Sequence, residues 1–236
     1  MSRGPYSGGR SGAAYCADAT RARGEWSVVT KTDAGADWRA YSGSGLPPIL
    51  DAALDCFVEH GYHGTTIRTV ASRAGLSVPG LYHHYASKQA LLVAIVSYAM
   101  DDLWVRSSAA LEEAGTDVRG RLDLLVECLV LFHAHQRDLA FIAASEIRSL
   151  NGEARDTYIA ARDRQQRLMD QVIAAGVAQG VFTTAYPREV SRAIVTMCTG
   201  VSQWYRAEGE HTPQELAARY CEMTRRTVGA LSPSRS

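Results

Sequence analysis

The sequence has no charge imbalance: its 25 Lys and Arg are matched by 25 Asp and Glu. That excludes a uniformly basic coat for nucleic acid, so any contact with a polyanion must come from a local patch. No apolar run reaches the ~18 residues that a membrane-spanning helix needs. Met1–Arg10 lacks the apolar stretch of a secretory signal, so the expected location is cytoplasmic, with no membrane partner. Cysteine is scarce and scattered. Cys16, Cys56, Cys128, Cys198 and Cys221 are odd in number and form no C-x-x-C pair, which argues against a disulfide framework or a zinc site. Cys56, Cys128 and Cys198 sit among apolar helical residues and read as core thiols. A Gly-rich phosphate loop, G-x-S-x-G and H-E-x-x-H are missing too, and these are the patterns that would open an enzymatic reading. No catalytic residue, cofactor or metal is assigned. His133-x-His135 is no exception, because positions two apart on a helix diverge by about 200°.

What is present is an ordinary globular composition: 236 residues, 46% hydrophobic and 21% charged, with a mean hydropathy of −0.15. A chain of this length buries a core without disulfides or metals. Residues 1–45 are rich in Gly, Ser and Ala, sustain no helical stripe and read as a flexible N-terminal extension. Trp26, Trp38 and Tyr41 are the residues within it that could dock. Order begins at Leu46-Pro47-Pro48, prolines being suited to a first helical turn. Ile49, Leu50, Ala53, Leu54, Phe57 and Val58 then recur at three- and four-residue steps up to Gly61. Thr66 caps a second stripe (Ile67, Val70, Ala71, Ala74) that Gly75 closes, and Ser77 caps a short third helix through Tyr82. Ser87 starts a long fourth helix. Further helices are placed near Val118–His135, Asp138–Leu150, Glu153–Gln179, Pro187–Arg206 and Pro213–Ala230. No strand-like alternation of useful length appears, so the fold class is all-α, with about nine helices.

Thr66–Ala74 and Ser77–Tyr82 fit a helix-turn-helix, with Gly75 in the turn, Ala71 where the helices touch, and Val70, Leu76 and Leu81 as wedges. The charge pattern agrees with a DNA-facing role. Between Gly61 and Met100 there are three cations, Arg68, Arg73 and Lys88, and no Asp or Glu, although chance clustering would give the same pattern.

The run Ile49-Leu50-Asp51-Ala52-Ala53-Leu54 … Phe57 … His60-Gly61-Tyr62 … Gly64-Thr65-Thr66-Ile67-Arg68 … Ala71 … Ala74-Gly75-Leu76-Ser77-Val78-Pro79-Gly80-Leu81-Tyr82-His83-His84-Tyr85 … Lys88 … Leu91-Leu92 resembles the DNA-binding domain of the TetR family of one-component repressors. With the 1–45 extension read from composition, the resemblance implies a 46–92 helix-turn-helix domain and a 93–230 ligand-binding and dimerisation domain, leaving a 231–236 tail. It implies a homodimer on a palindromic double-stranded DNA operator, with half-sites about one turn (~34–36 Å) apart. Carried over by position, Val78, Pro79 and Gly80 face bases, with Ser77 at the helix start. Tyr82, His83 and His84 lie by the strand, Thr66 and Lys88 touch phosphate, and Arg68 reaches base or phosphate. Val78 and Pro79 could instead be helix-start packing.

Beyond Leu92 a looser similarity, in Glu146-x-Arg148-x-Leu150, Tyr158, Gln165, Gly176, Gly180-Val181-Phe182 and Trp204-Tyr205, is to family members controlling fatty-acid, sterol and acyl-CoA catabolism. It points to a small hydrophobic effector, an acyl-CoA first among the alternatives. Candidate effector contacts are Trp104, Phe132, Phe141, Glu146, Arg148, Tyr158, Arg162, Met169, Met197 and Trp204, each of which could equally be core or solvated surface. Val190, Ile194, Cys198 and Val201, then Leu216, Tyr220 and Met223, give two late apolar stripes suited to a dimer bundle. The rival readings are an effector-free helical architectural protein and, last, an enzyme.

Overall fold

The computed structural model describes residues 37–230. Cys16, Trp26, most of the expected extension and the 231–236 tail lie outside them. Among the described residues all regular structure is helical. α1 (Pro48–Gly64), α2 (Ile67–Arg73) and α3 (Val78–His84) form an N-terminal unit. α4 (Lys88–Ala114) leads out of it into a body of α5 (Val118–His135), α6 (Arg137–Ser145), α7 (Gly152–Ala178), α8 (Pro187–Thr199), α9 (Val201–Trp204) and α10 (Pro213–Thr227). A 3-10 turn, Glu146–Ser149, follows α6. With the single turn α9 counted as the end of α8, the described residues form nine helices. The sequence pattern joins these two without a break. In the structure Gln203 N–H donates to Gly200 three residues back, a tighter turn that interrupts the α-helix.

Caps set the N-terminal boundaries. Thr66, Ser77 and Ser87 each accept the backbone N–H three residues on, at 3.1, 3.1 and 3.0 Å. Gly61 breaks α1 with a φ of +71°, after which one more turn reaches Gly64. Gly75 takes a φ of +68° in the tight turn between α2 and α3, a conformation glycine adopts without a Cβ clash.

The core falls into two clusters. One joins α1–α3 and the first half of α4 to α6 through Phe57, Val70, Leu81, Leu92, Ile95, Leu139 and Ile142. The other surrounds α5, which is buried along most of its length, and includes Leu103, Leu129, Phe132, Met169, Ile173 and Phe182. α4, 27 residues long and so about 40 Å, belongs to both. No break falls at residue 92, because α4 runs through it.

Two expectations need correction. The stretch 37–45, assigned to a flexible extension, is fastened to the body. Trp38 is buried and its indole N–H donates to Glu113 at 2.7 Å. Arg39 pairs with Glu127 and Glu113, both at 2.8 Å, and the hydrogen bond to Glu127 raises its guanidinium pKa further. Arg106 donates to the carbonyls of Trp38 and Ala40. Aromatic docking and ion pairs override the Gly/Ser composition here. The late apolar stripes also face inward: Ile194, Cys198, Val201, Leu216 and Tyr220 are buried in the subunit's own core, which leaves only Met223 of them largely exposed. Packing of α8 against α7 and α5, and of α10 against α5, consumes the stripes that were expected to meet a partner.

Candidate DNA-binding face and effector cavity

α2 and α3 cross through the fully buried Val70, Ala71 and Leu81, and the turn is closed by Leu76 N–H on Ala71 O at 2.8 Å. Those contacts fix which side chains point outward. Thr66, Arg68, Ser77, Pro79, Tyr82, His83 and His84 are exposed, and Val78 and Gly80 are half-buried. Tyr82 stands out: an aromatic ring on a seven-residue helix is left 49% exposed. The His83 and His84 rings meet edge-on, with centroids 5.6 Å apart. Of the two arginines, Arg73 is held by both oxygens of Glu59 at 2.7 and 2.6 Å. Arg68 has no ion pair among the described residues. Its guanidinium is therefore available for a bidentate contact with a guanine edge or a phosphate. Val78 leans on its own core, so part of the expected reading surface is packing. Gly80 sits against the capping hydroxyl, where an added Cβ would lie 3.2 Å from Ser77 Oγ.

Lys88 differs most from its expected role. Its ammonium donates to the carbonyls of Tyr62 and Thr65 at 2.6 and 2.8 Å and lies 4.4 Å from the centroid of the Tyr62 ring. It clamps the start of α4 to the end of α1, and a phosphate would meet only its remaining proton.

In the body, a cavity of about 480 Å³ opens between α4, α5, α6, α7 and α8. Met100, Leu103, Phe132, Ala140 and Val195 give it apolar walls, with Arg162, Asp163 and Arg192 also lining it. Its volume falls in the usual range for small-molecule sites, about 300–1,000 Å³. Because Met100 belongs to one hydrophobic cluster and Leu103 and Phe132 to the other, the cavity lies at the seam between them.

Of the candidate contacts, Phe132, Tyr158 and Arg162 line this cavity and the other seven do not. Tyr158 is buried with its hydroxyl donating to Ala143 O. Met169 is wholly buried in the α5 cluster and Met197 packs against it. Trp104 is covered by Arg164, whose guanidinium carbon lies 4.1 Å from a ring centroid. Phe141 and Trp204 are 39% and 51% exposed. Glu146 accepts from Ser149 within the 3-10 turn, and Arg148 is exposed. These seven lie outside this cavity's lining.

The sequence pattern does not single out His133, Gln165, Gln166 and Arg192 as cavity residues. Arg192, Val195, Thr196 and Thr199 follow the i, i+3, i+4, i+7 rule and share one face of α8, a signal that periodicity carries. In the sequence His133 draws notice only as a metal ligand. It lines the cavity while His135 stacks on Tyr41 with centroids 4.5 Å apart, so the two rings do diverge.

Residues 49–95 match the family profile described as bacterial regulatory proteins, tetR family, and residues 115–228 match the tetracyclin repressor-like C-terminal domain. The chain belongs to the TetR family. It is a helix-turn-helix, DNA-binding transcriptional regulator. The transcriptional repressor KstR2 of Mycobacterium tuberculosis H37Rv is 28% identical over 174 residues, 73% of this chain and 86% of that one. Among solved structures, a tetR-family regulatory protein from Rhodococcus RHA1 superposes with a TM-score of 0.72 at 28% identity, over 82% of this chain and 100% of the other. AibR, solved with isovaleryl coenzyme A and operator DNA, shares the fold at a TM-score of 0.67 and 22% identity, over 78% of this chain and 97% of its own.

Proposed function

We propose that this TetR-family regulator is a cytoplasmic, homodimeric repressor that holds a palindromic operator through α2 and α3 and is released by a hydrophobic effector, an acyl-CoA, in the α4–α8 cavity. The observation that carries this reading is the position of the cavity. It touches both hydrophobic clusters, and α4 runs from its wall to the clamp at Lys88. A ligand there can favour one arrangement of α4 over another, and it shifts the equilibrium only by its difference in affinity for the two.

The acyl-CoA reading rests on shape and charge. A volume of about 480 Å³ suits an acyl group but is too small for the whole coenzyme. The nucleotide would therefore extend outward from the cavity, and Arg162 and Arg192 in its lining offer charge-assisted contacts to phosphate. The neighbour that binds isovaleryl coenzyme A and operator DNA makes this class the first to try. On DNA, Arg68 and Tyr82 supply contacts to base edge or strand, Thr66, Ser77, Pro79, Gly80, His83 and His84 border the strand, and Lys88 acts chiefly by holding the unit together. Dimerisation would use the outward faces of α8 and α10, where Met223 is exposed.

The test is the anisotropy of labelled DNA from upstream of the gene, over a salt series, with a panel of acyl-CoAs. Tight, salt-dependent binding that Arg68→Ala or Tyr82→Ala weakens at least ~10-fold, and that one acyl-CoA abolishes, is expected. Binding that no panel member changes would remove the acyl-CoA reading. Unchanged affinity in both variants would remove the assigned DNA face.

A further inference from the structure

The DNA-binding unit joins the body at both of its ends. Its C-terminal end passes from α3 into α4, and its N-terminal end continues back into the 37–45 stretch fastened to the body. Arg106, on α4, locks that fastening. Its guanidinium donates to Trp38 O and Ala40 O at 2.7 and 2.9 Å and to both oxygens of Asp102 at 3.0 Å. It also lies 4.1 Å from the centroid of the Tyr41 ring. The Arg106 and Asp102 side chains are 11% and 9% exposed, so water competes little for these bonds.

From this anchor the stretch follows α4 towards the unit. Gln136, at the corner between α5 and α6, donates to Gly43 O at 2.7 Å. Gly45 then passes so close to α4 that an added Cβ would fall 2.2 Å from the Tyr98 hydroxyl. Residues 98 and 106 are about 12 Å apart along the helix. Ser44 donates to Asp51, in the first turn of α1, at 2.5 Å, and Leu46 packs against the apolar cluster of the unit.

A unit attached through α4 alone could turn about that helix. Attached at both ends, it cannot turn without breaking contacts along the stretch. We infer that residues 37–45 form a strap that fixes the attitude of the DNA-binding unit, and that Arg106 is a positioning residue for operator recognition although it lies outside the α2–α3 face. The strap thereby sets the half-site spacing that the protein accepts. This inference rests on the proposed dimer bound to paired half-sites.

The test is the affinity for a duplex that the wild-type protein selects from random DNA, whole and with one base pair added or removed at its centre. Each change moves one half-site by ~3.4 Å and turns it by roughly 34°. The full-length wild type is expected to lose at least ~10-fold on either change, because a rigid pair cannot engage both half-sites at once. Three glycines inserted between Gly43 and Ser44 keep both anchors and slacken the tie, and a longer surface loop costs little stability. The loss is then expected to fall below ~3-fold. Arg106→Met, which frees the body anchor instead, is expected to do the same, with circular dichroism checking its helix content. Partial unfolding lowers the affinity for all three duplexes alike, so their ratio reports position rather than stability. A slack variant that discriminates as strongly as wild type overturns the inference and leaves the paired half-sites standing. A wild type indifferent to spacing removes the paired half-sites and the inference with them. Discrimination kept in Arg106→Met alone removes that residue from the tie.

Discussion

The N-terminal unit and the body are both helical, yet they treat their polar groups in opposite ways. In the unit, Thr66, Ser77 and Ser87 cap helices and Lys88 closes the end of α1. These groups fix boundaries, and Arg68, Tyr82, His83 and His84 face outward. In the body, Gln165 and His133 are buried in the lining of a cavity, and Gln165 Oε1 has no hydrogen-bond partner. The first arrangement suits a surface that must keep one shape against DNA. The second suits a pocket completed by what enters it. α4 joins them, so a change at the pocket is carried by a helix whose far end is clamped.

The largest effect of a substitution is expected where the body is rigid. Gly176 lets Phe182 close against α7, and an added Cβ would fall 2.0 Å from the Phe182 ring. Gly176→Ala is expected to cost about 3 kcal/mol in urea unfolding; a loss below ~1 kcal/mol would mean the α7–α8 connection is as yielding as the cavity.

A smaller effect separates the cavity from the unit by pH. Because burial lowers the His133 pKa to about 4, the unfolded chain takes up a proton near pH 6.5 while the folded one does not. Stability therefore falls as pH drops from about 6.5 toward 4, by roughly 2 kcal/mol between pH 7 and pH 5. His133→Leu is expected to lose this part of the acid sensitivity. Identical slopes of unfolding midpoint against pH in wild type and variant would contradict a buried neutral ring.

The smallest effect concerns the unit alone. Removing the α3 cap in Ser77→Ala should cost about 1 kcal/mol and weaken operator binding without altering ligand binding at the cavity. A change in effector affinity measured by calorimetry would show that the two regions are less separate than their polar groups suggest.

This contrast also explains what the sequence can disclose. Caps, glycine turns and apolar spacing act within about ten residues, so α1–α3 and the outward-facing Arg68 and Tyr82 are legible in the residue order itself. The α5 and α7 ranges are legible for the same reason. The cavity draws on five helices, and one sequence does not say which faces meet. Trp104, Met169 and Trp204 have the chemistry of ligand contacts, but packing places them under an arginine, in the core and in solvent. The 37–45 stretch has a loop-like composition, and one buried Trp38 and the Arg39 ion pairs outweigh it. The apolar stripes of α8 and α10 announce burial correctly but not their neighbours: α7 and α5 cover the first and α5 the second.

Under the proposed function, cavity occupancy moves the DNA-binding units. The distance between spin labels at Ser72→Cys, an exposed α2 position, in the two protomers of the proposed dimer, measured by pulsed electron resonance with and without an acyl-CoA found to release operator DNA, tests this directly. The free protein is expected to match the half-site spacing of roughly one helical turn, ~34–36 Å between recognition helices, and the liganded protein to shift away from it. An unchanged distance distribution in a protein whose DNA binding that ligand abolishes would contradict the account.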